Sequence, residues 1–213
     1  MIKVMLVDDH ELVRAGVRKL LDESKGVKVV AEAASGEDAL NLIKKTKPDV
    51  VLMDVSMPGI GGLEATIKLQ RARPRLKIIV LSMHQDDPFP SRMLQAGAMG
   101  YLTKGCSLDE IVTAIREVVG GGRYLGSDVA KTLALSGLTG ECKSPFDALS
   151  HREMQVMLML MEGHNIADIS DTLCLSPKTI STYRQRLFGK LGIDNDVELA
   201  HMAMRHGVLQ RSA

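Results

Sequence analysis

From Ile2 to Asp54 short apolar runs alternate with amphipathic segments, IKVMLV, ELVRAGVRKLLDE, VKVVAEA, GEDALNLIKKT and VVLMD in turn. Unbroken runs rich in Val and Ile predict buried strands, and apolar positions three and four apart predict helices that pack on them. The rhythm continues through a helix near Leu63–Arg73, a strand Lys77–Ser82, a helix near Pro90–Ala96, a strand Gly100–Thr103 and a helix Leu108–Val119. VVLM and KIIVLS lack the polar alternation of a half-exposed strand, so helices are expected on both of their faces. The prediction for residues 1–120 is an α/β domain, a five-stranded parallel doubly wound sheet of the flavodoxin-like kind. Ser107 with Glu110, and Ser35 ahead of Gly36, Glu37 and Asp38, mark helix starts by their capping spacing.

Gly120, Gly121 and Gly122 stop that pattern, and a polar stretch follows. Residues 121–147 read as a linker, with one possible helix over Ser127–Leu135. Beyond it the period is helical only. Ser150-His-Arg-Glu153 opens a helix through MQVMLMLM that Gly163 ends, and segments Ile166–Leu173, Pro177–Leu191 and Asp196–His206 follow. Ser176 before Pro177 is a strong start signal, because proline lacks the N–H that a first helical position leaves unused. Residues 148–213 are thus expected to form an all-α four-helix domain, with Met154, Met157, Met159 and Met161 as core filler.

Composition narrows the function classes. A chain of 213 residues suits two domains. Its 27 Lys and Arg against 26 Asp and Glu require any nucleic-acid surface to be a local arrangement. Three cysteines, Cys106, Cys142 and Cys174, without CxxC spacing argue against a disulfide framework or a zinc site. Three Tyr, three Phe and no Trp disfavour a stacking platform for single-stranded bases. No run approaches the ~18–20 apolar residues of a membrane span, and Met1–Asp9 lacks an export signal, so a cytoplasmic chain without membrane contact is expected.

Ligands of open parallel sheets gather at the carboxyl ends of the strands. Asp8 and Asp9 follow the first strand there, and Asp54 ends the third. Converging carboxylates repel by about 4 kcal/mol per close pair at an effective dielectric near 20, so they call for a cation. Hard oxygen ligands and room for a phosphoryl oxygen suit Mg²⁺. The competing reading of Asp8 and Asp9 is as caps of the next helix. Ser82 and Lys104 stand at two further strand ends. A hydroxyl donor and a fixed cation beside a carboxylate are what a transferred phosphoryl group requires, which points to an aspartyl phosphate on Asp54.

In the second domain seven basic residues from Ala148 onward meet seven acids, yet Lys178, Arg184, Arg186 and Lys190 share one helix without an acid among them. A short helix, a three-residue connection and a helix opening with Ser-Pro-Lys-Thr is a helix-turn-helix layout whose second helix is expected to enter the major groove of double-stranded DNA. Ser181, Thr182 and Gln185 suit base edges, whereas Lys178, Thr179, Arg184, Arg186 and Lys190 suit phosphates.

Residues 1–120, through VDDH, VVLMDVSMPGIGG, VLS and YLTKG, resemble a two-component receiver domain, and Leu149–Leu191 resembles the LuxR-type helix-turn-helix of the NarL/FixJ response regulators. Within that family LCLSPKT, STYR and HMAMRHG are most similar to the GacA/UvrY group. The resemblance implies a sensor histidine kinase, of hybrid type in that group, as phosphoryl donor to Asp54. It implies Mg²⁺ on Asp8, Asp9, Asp54 and the Ser56 main-chain carbonyl, and Lys104 and Ser82 on the phosphoryl group. Tyr101 is then a switch that changes rotamer. It also implies activation of small regulatory RNA genes and a homodimer on DNA, paired through the last helix, where Leu199, Met202 and Ala203 offer an apolar stripe. Four phosphate contacts per protomer would set a log affinity against log salt slope of roughly −7. Two rivals are a phosphohydrolase with Asp54 as nucleophile, for which Ser56 is unsuited as acid or base, and an adaptor that has lost DNA reading, against which the basic helix speaks.

Overall fold

The computed structural model describes residues 1–83, 89–138, 145–161, 163–173 and 175–206. The chain divides into two compact units, one reaching Ala134 and the other starting at Leu135.

The first unit alternates β1 (Ile2–Val7), α1 (Glu11–Glu23), β2 (Val27–Ala33), α2 (Gly36–Thr46), β3 (Val50–Asp54), α3 (Gly61–Ala72), β4 (Lys77–Ser82), α4 (Phe89–Gln95), β5 (Gly100–Thr103) and α5 (Leu108–Val119). Every strand pairing is parallel, in the order β2-β1-β3-β4-β5-β6. The sixth strand, β6 (Tyr124–Leu125), corrects the expected count of five; it pairs with Gly100 and Tyr101 inside the stretch read as linker. Helix α6 (Ser127–Leu138) follows it, three residues longer at its end than the sequence suggested.

The two faces of the sheet take alternate residues, as the pleat requires. Val4, Leu6, Leu52 and Leu81 pack with Leu21 of α1 and Ile111, Ile115 and Val118 of α5. Met5, Val7, Val51, Met53 and Ile78 pack on the other side with Ala39 and Ile43 of α2 and Ala65 and Leu69 of α3. Side chains of this size stabilise the fold by about 1.5–3 kcal/mol each when fully buried, which explains why the apolar runs outweigh local preference. Ser35 and Ser107 accept the amides of Asp38 and Glu110, at 3.1 and 3.2 Å, as helix N-caps.

Beyond α6 the second unit holds a 3₁₀ turn (Pro145–Ala148), α7 (His151–Met161), α8 (Ile166–Leu173), α9 (Pro177–Leu191) and α10 (Asp196–Arg205). Ser150 and Glu153 form the reciprocal capping box: the Ser150 amide donates to Glu153 Oε2 at 2.6 Å, and the Glu153 amide donates to Ser150 Oγ at 3.4 Å. Val156, Ile169, Leu173 and Ile180 make the core between α7, α8 and α9, with Met159, Leu160 and Tyr183 against it. Met154 and Met157 are buried. Gly192, left-handed at φ 67°, ends α9 without the strain a side chain would meet there.

Candidate functional site

The carboxyl ends of β1, β3, β4 and β5 are neighbours in the sheet, so residues far apart in sequence arrive together. Asp54 is buried at the end of β3. Lys104 Nζ donates to Asp54 Oδ2 at 2.8 Å and lies 2.8 Å from Asp8 Oδ2, so one ammonium bridges two carboxylates. The Ser56 amide donates to Asp54 Oδ1 at 3.3 Å. Ser82 is fully buried beside them, and its carbonyl accepts the Lys104 amide at 2.8 Å, tying the ends of β4 and β5. Asp8 Oδ1 accepts the His10 amide at 2.8 Å, but His10 is the N-cap of α1 and no side chain caps that helix, so Asp8 and Asp9 are not its caps, and the other oxygen of Asp8 belongs to the cluster.

Burial pushes the Asp54 carboxyl above the usual carboxylate range, with Lys104 opposing and Asp8 adding to the rise. Burial also works against the Lys104 ammonium, but its bonds to Asp54 and Asp8 outweigh that and hold it above the ordinary lysine value. Three carboxylates and one ammonium leave two negative charges in excess. Asp9 Oδ1 is buried and accepts no hydrogen bond; His10 Nδ1, at 3.0 Å, approaches at ion-pair distance only. Ligand atoms of Asp8, Asp9, His10 and Asp54 all lie within 4.8 Å of one another. An orphaned carboxylate oxygen, hard donors and a surplus of two charges fit a divalent cation. His10 carries no distinctive spacing in the sequence, being one exposed histidine beside two acids.

Tyr101 has no exposed surface. It packs with Val80, Met93, Ala98 and Val129, flanked by Val55, Leu63, Leu125 and Leu133. Val55 follows Asp54 directly, and Leu125, Val129 and Leu133 come from β6 and α6, so this cluster joins the chain neighbour of Asp54 to the segment that leaves the sheet. Cys106 is half-buried, and burial, with Glu110 adding, pushes its thiol up to about 11, so it is a poor nucleophile at neutral pH. Cys142 and Cys174 lie outside the described residues.

In the second unit the end of α8 is locked to the start of α9. The Ser170 hydroxyl donates to the Leu175 carbonyl at 2.5 Å, and the Leu175 amide returns to the Ser170 carbonyl at 3.0 Å. Ser176 caps α9 through the Thr179 amide at 3.1 Å, and the Thr179 hydroxyl lies 2.8 Å from Ser176 Oγ. Lys178, Ser181, Thr182, Gln185 and Arg186 are exposed. Ser181 and Thr182 donate their hydroxyl protons to the carbonyls of Pro177 and Lys178, which leaves their oxygens as outward acceptors. Among the described residues no hydrogen bond or ion pair engages the side chains of Lys178, Gln185 or Arg186.

The other two cations of α9 are held within the unit. Arg184 forms a fork on Asp196, at 3.1 and 2.7 Å, and stacks over Phe188 at 4.5 Å. Lys190 donates to the buried Glu153 at 2.6 Å and to the Ala148 carbonyl at 3.0 Å. Desolvation opposes it, yet the bonds from Lys190 and Ser150 hold the Glu153 carboxyl below its ordinary value. The last helix also differs from expectation. Leu199 and Ala203 point into the core, and the apolar residues that α10 exposes are Val197, 65% exposed, and Met204, 42%, with exposed His201 between them.

Two family models match the chain: a response regulator receiver domain over residues 4–116, and bacterial regulatory proteins of the luxR family over residues 147–203. Response regulator GacA of Pseudomonas aeruginosa is 53% identical over 214 residues, covering 100% of both chains. Response regulator UvrY of Escherichia coli K12 is 54% identical over 209 residues, 98% of this chain and 96% of that protein. Among solved structures, the response regulator RcsB of Salmonella typhimurium matches with a TM-score of 0.74 and 27% identity, over 96% of this chain and 97% of that one. RcsB of Salmonella enterica serovar Typhimurium bound to promoter rprA, in the presence of the phosphomimetic BeF3⁻, matches with a TM-score of 0.69 and 27% identity, over 94% and 97%. A receiver with an acidic cluster at its strand ends, a luxR-type helix-turn-helix behind it, and full-length identity above one half place this chain in the family of two-component response regulators with a LuxR-type DNA-binding domain.

Proposed function

We propose that the chain is a cytoplasmic transcription factor gated by phosphorylation of Asp54, with a sensor histidine kinase of hybrid type as donor. The observation that carries this reading is the buried Asp54 carboxylate, bridged by Lys104 to Asp8 and set beside the unsatisfied oxygen of Asp9. Asp54 Oδ2 is engaged by Lys104, so Oδ1, with the longer 3.3 Å bond, is the oxygen we assign as nucleophile. The new O–P bond forms there as the N–P bond of the phosphohistidine breaks, and the imidazole leaves with the electron pair. Asp8, Asp9, Asp54 and the Ser56 carbonyl would hold Mg²⁺, which supplies charge neutralisation for the phosphoryl oxygens. Lys104 and Ser82 orient the group on Asp54. The same chemistry run with water returns the free acid, so the only catalysis in this reading is self-phosphorylation and autodephosphorylation.

The added dianion favours whichever arrangement supplies it with donors, and a population shift follows. Ser82 turns toward the phosphoryl group and Tyr101 adjusts its rotamer, disturbing its packing on Val129 and Leu133. The second unit is thereby released or dimerised for promoter binding. There Ser181, Thr182 and Gln185 face base edges, and Lys178, Thr179 and Arg186 face phosphates. Arg184 and Lys190, expected in the same role, are more economically read as braces of the domain, given their bonds to Asp196 and Glu153. With Lys178 and Arg186 as the two cations of α9 without a partner among the described residues, the expected salt slope of a dimer falls to about −4. Pairing of two copies through α10 would use Val197, His201 and Met204. Small regulatory RNA genes are the targets that the resemblance to the GacA/UvrY group implies, and identities of 53% and 54% to GacA and UvrY support that grouping. RcsB bound to promoter rprA in the presence of a phosphomimetic supports promoter DNA as the ligand of the phosphorylated form.

A mobility-shift titration with and without a small phosphodonor, on wild type and Asp54→Asn, tests the reading. Phosphodonor is expected to tighten wild-type binding to a specific duplex and leave the variant unchanged. Equal response of both proteins refutes Asp54 as acceptor.

A further inference from the structure

The β3–α3 loop carries Ser56 from the end of β3 to α3, and we infer that Glu37, on the first turn of α2, is the positioning residue that braces this loop against the acidic site. The inference rests on the reading of Asp54 as phosphoacceptor beside a divalent cation.

The near end of the loop is fixed by its own backbone. The Gly62 amide donates to the Val55 carbonyl at 3.1 Å, and Gly62 lies so close that a Cβ would stand 1.9 Å from the Asp54 carbonyl oxygen. The α3 end of the loop, at Gly59 and the N-cap Ile60, is held from outside. Glu37 Oε1 accepts the Ile60 amide at 3.0 Å. Gly59, left-handed at φ 72°, presses on the same carboxylate: a Cβ there would be 2.6 and 2.7 Å from its two oxygens. Gly36 lies equally close to Ile60, with a Cβ 2.7 Å from Ile60 Cγ1. Ser56 therefore spans two anchors, the β3 end and the Glu37 carboxylate, with Met57 buried between them.

Glu37 is not needed as a helix cap, because Ser35 performs that task on the Asp38 amide. Nor is its charge unique in the turn. Asp38 is the next residue, equally exposed, and no hydrogen bond or ion pair engages its side chain among the described residues. What distinguishes Glu37 is the loop it grips. A carboxylate on a helix packed into the sheet is a rigid support, and such outer supports set how well the inner ligands are aimed.

The test uses the full chain and four variants, Glu37→Ala, Glu37→Asp, Glu37→Gln and Asp38→Ala. Magnesium chloride is titrated calorimetrically, and phosphorylation by acetyl phosphate is resolved into KM and kcat. Glu37→Ala and the shorter Glu37→Asp are expected to weaken Mg²⁺ binding on the order of tenfold. Both should also speed hydrogen exchange at the Ile60 amide. Glu37→Gln, which keeps the accepting oxygen, and Asp38→Ala, which removes only first-turn charge, should stay near wild type. Wild-type Mg²⁺ affinity in Glu37→Ala and Glu37→Asp, or an equal loss in Asp38→Ala, overturns the inference while leaving Asp54 untouched. Absence of both Mg²⁺ binding and phosphorylation in the wild type overturns the underlying reading instead.

Discussion

Removing the charge of Asp54 is expected to stabilise the metal-free chain. At 2.8 Å the Lys104 ammonium attracts the Asp54 carboxylate by about 6 kcal/mol at an effective dielectric near 20. Asp8 and Asp9, with ligand oxygens within 4.8 Å, repel it by about 3.5 kcal/mol each. The pairwise contributions nearly cancel, which leaves desolvation to decide, and a buried carboxylate retains a penalty of several kcal/mol even after relaxation. Asp54→Asn keeps the shape and an accepting oxygen but sheds that penalty, so a gain on the order of 1–2 kcal/mol is expected without metal. At about 4 °C per kcal/mol for a domain of this size, calorimetric scans in EDTA resolve it readily.

The pH dependence has a definite sign. The folded carboxyl of Asp54 titrates above the unfolded one, so between those two values the native state binds more protons. Wild-type stability rises as pH falls through that window, and the advantage of the variant fades with it. Mg²⁺ should reverse the order, because a ligand at 100 times its dissociation constant adds about 2.7 kcal/mol to the state that binds it, and the variant has lost one carboxylate of the site. A variant less stable than wild type in EDTA, or one that gains equally from Mg²⁺, would refute the reasoning.

Variants of the second unit and of the Tyr101 cluster have separate expected outcomes. Arg186→Ala should flatten the salt slope of DNA binding by about 2 for a dimer, whereas Lys190→Ala should leave the slope unchanged. Lys190→Ala should instead lower the stability of the second unit by about 1–2 kcal/mol, after allowance for the partial exposure of Lys190. The wild-type contribution from Glu153 is complete above the ordinary carboxylate range and is lost as pH falls through its lower folded value, so this variant should lose the acid-dependent part. Val197→Asp should preserve the fold and abolish two-to-one binding to a two-fold duplex in sedimentation, while Leu199→Asp should unfold the unit, since Leu199 is only 1% exposed. Val129→Ala should destabilise the first unit by about 1–2 kcal/mol through the cavity left beside Tyr101, and accelerate hydrogen exchange at Tyr124 and Leu125.

The strands, the helices and their starts were determined by local pattern: buried runs such as VVLM leave no alternative to a covered sheet, and each serine cap acts within three residues. The identity of the strand-end residues was equally plain, because parallel topology brings those ends to one edge whatever the helices do in detail. Tertiary structure alone decided what lies beyond local reach. β6 is two residues long, too short to show a period, and exists because β5 offers it an open edge. The fate of the basic helix turned on Glu153, 37 residues before Lys190, and on Asp196, 12 residues after Arg184. Both bonds depend on how α7 and α10 dock against α9. Glu37 and Ile60, 23 residues apart, meet for the same reason. Charge and periodicity are written along the chain, but which charges are already satisfied is a property of contacts made only when distant segments close on one another.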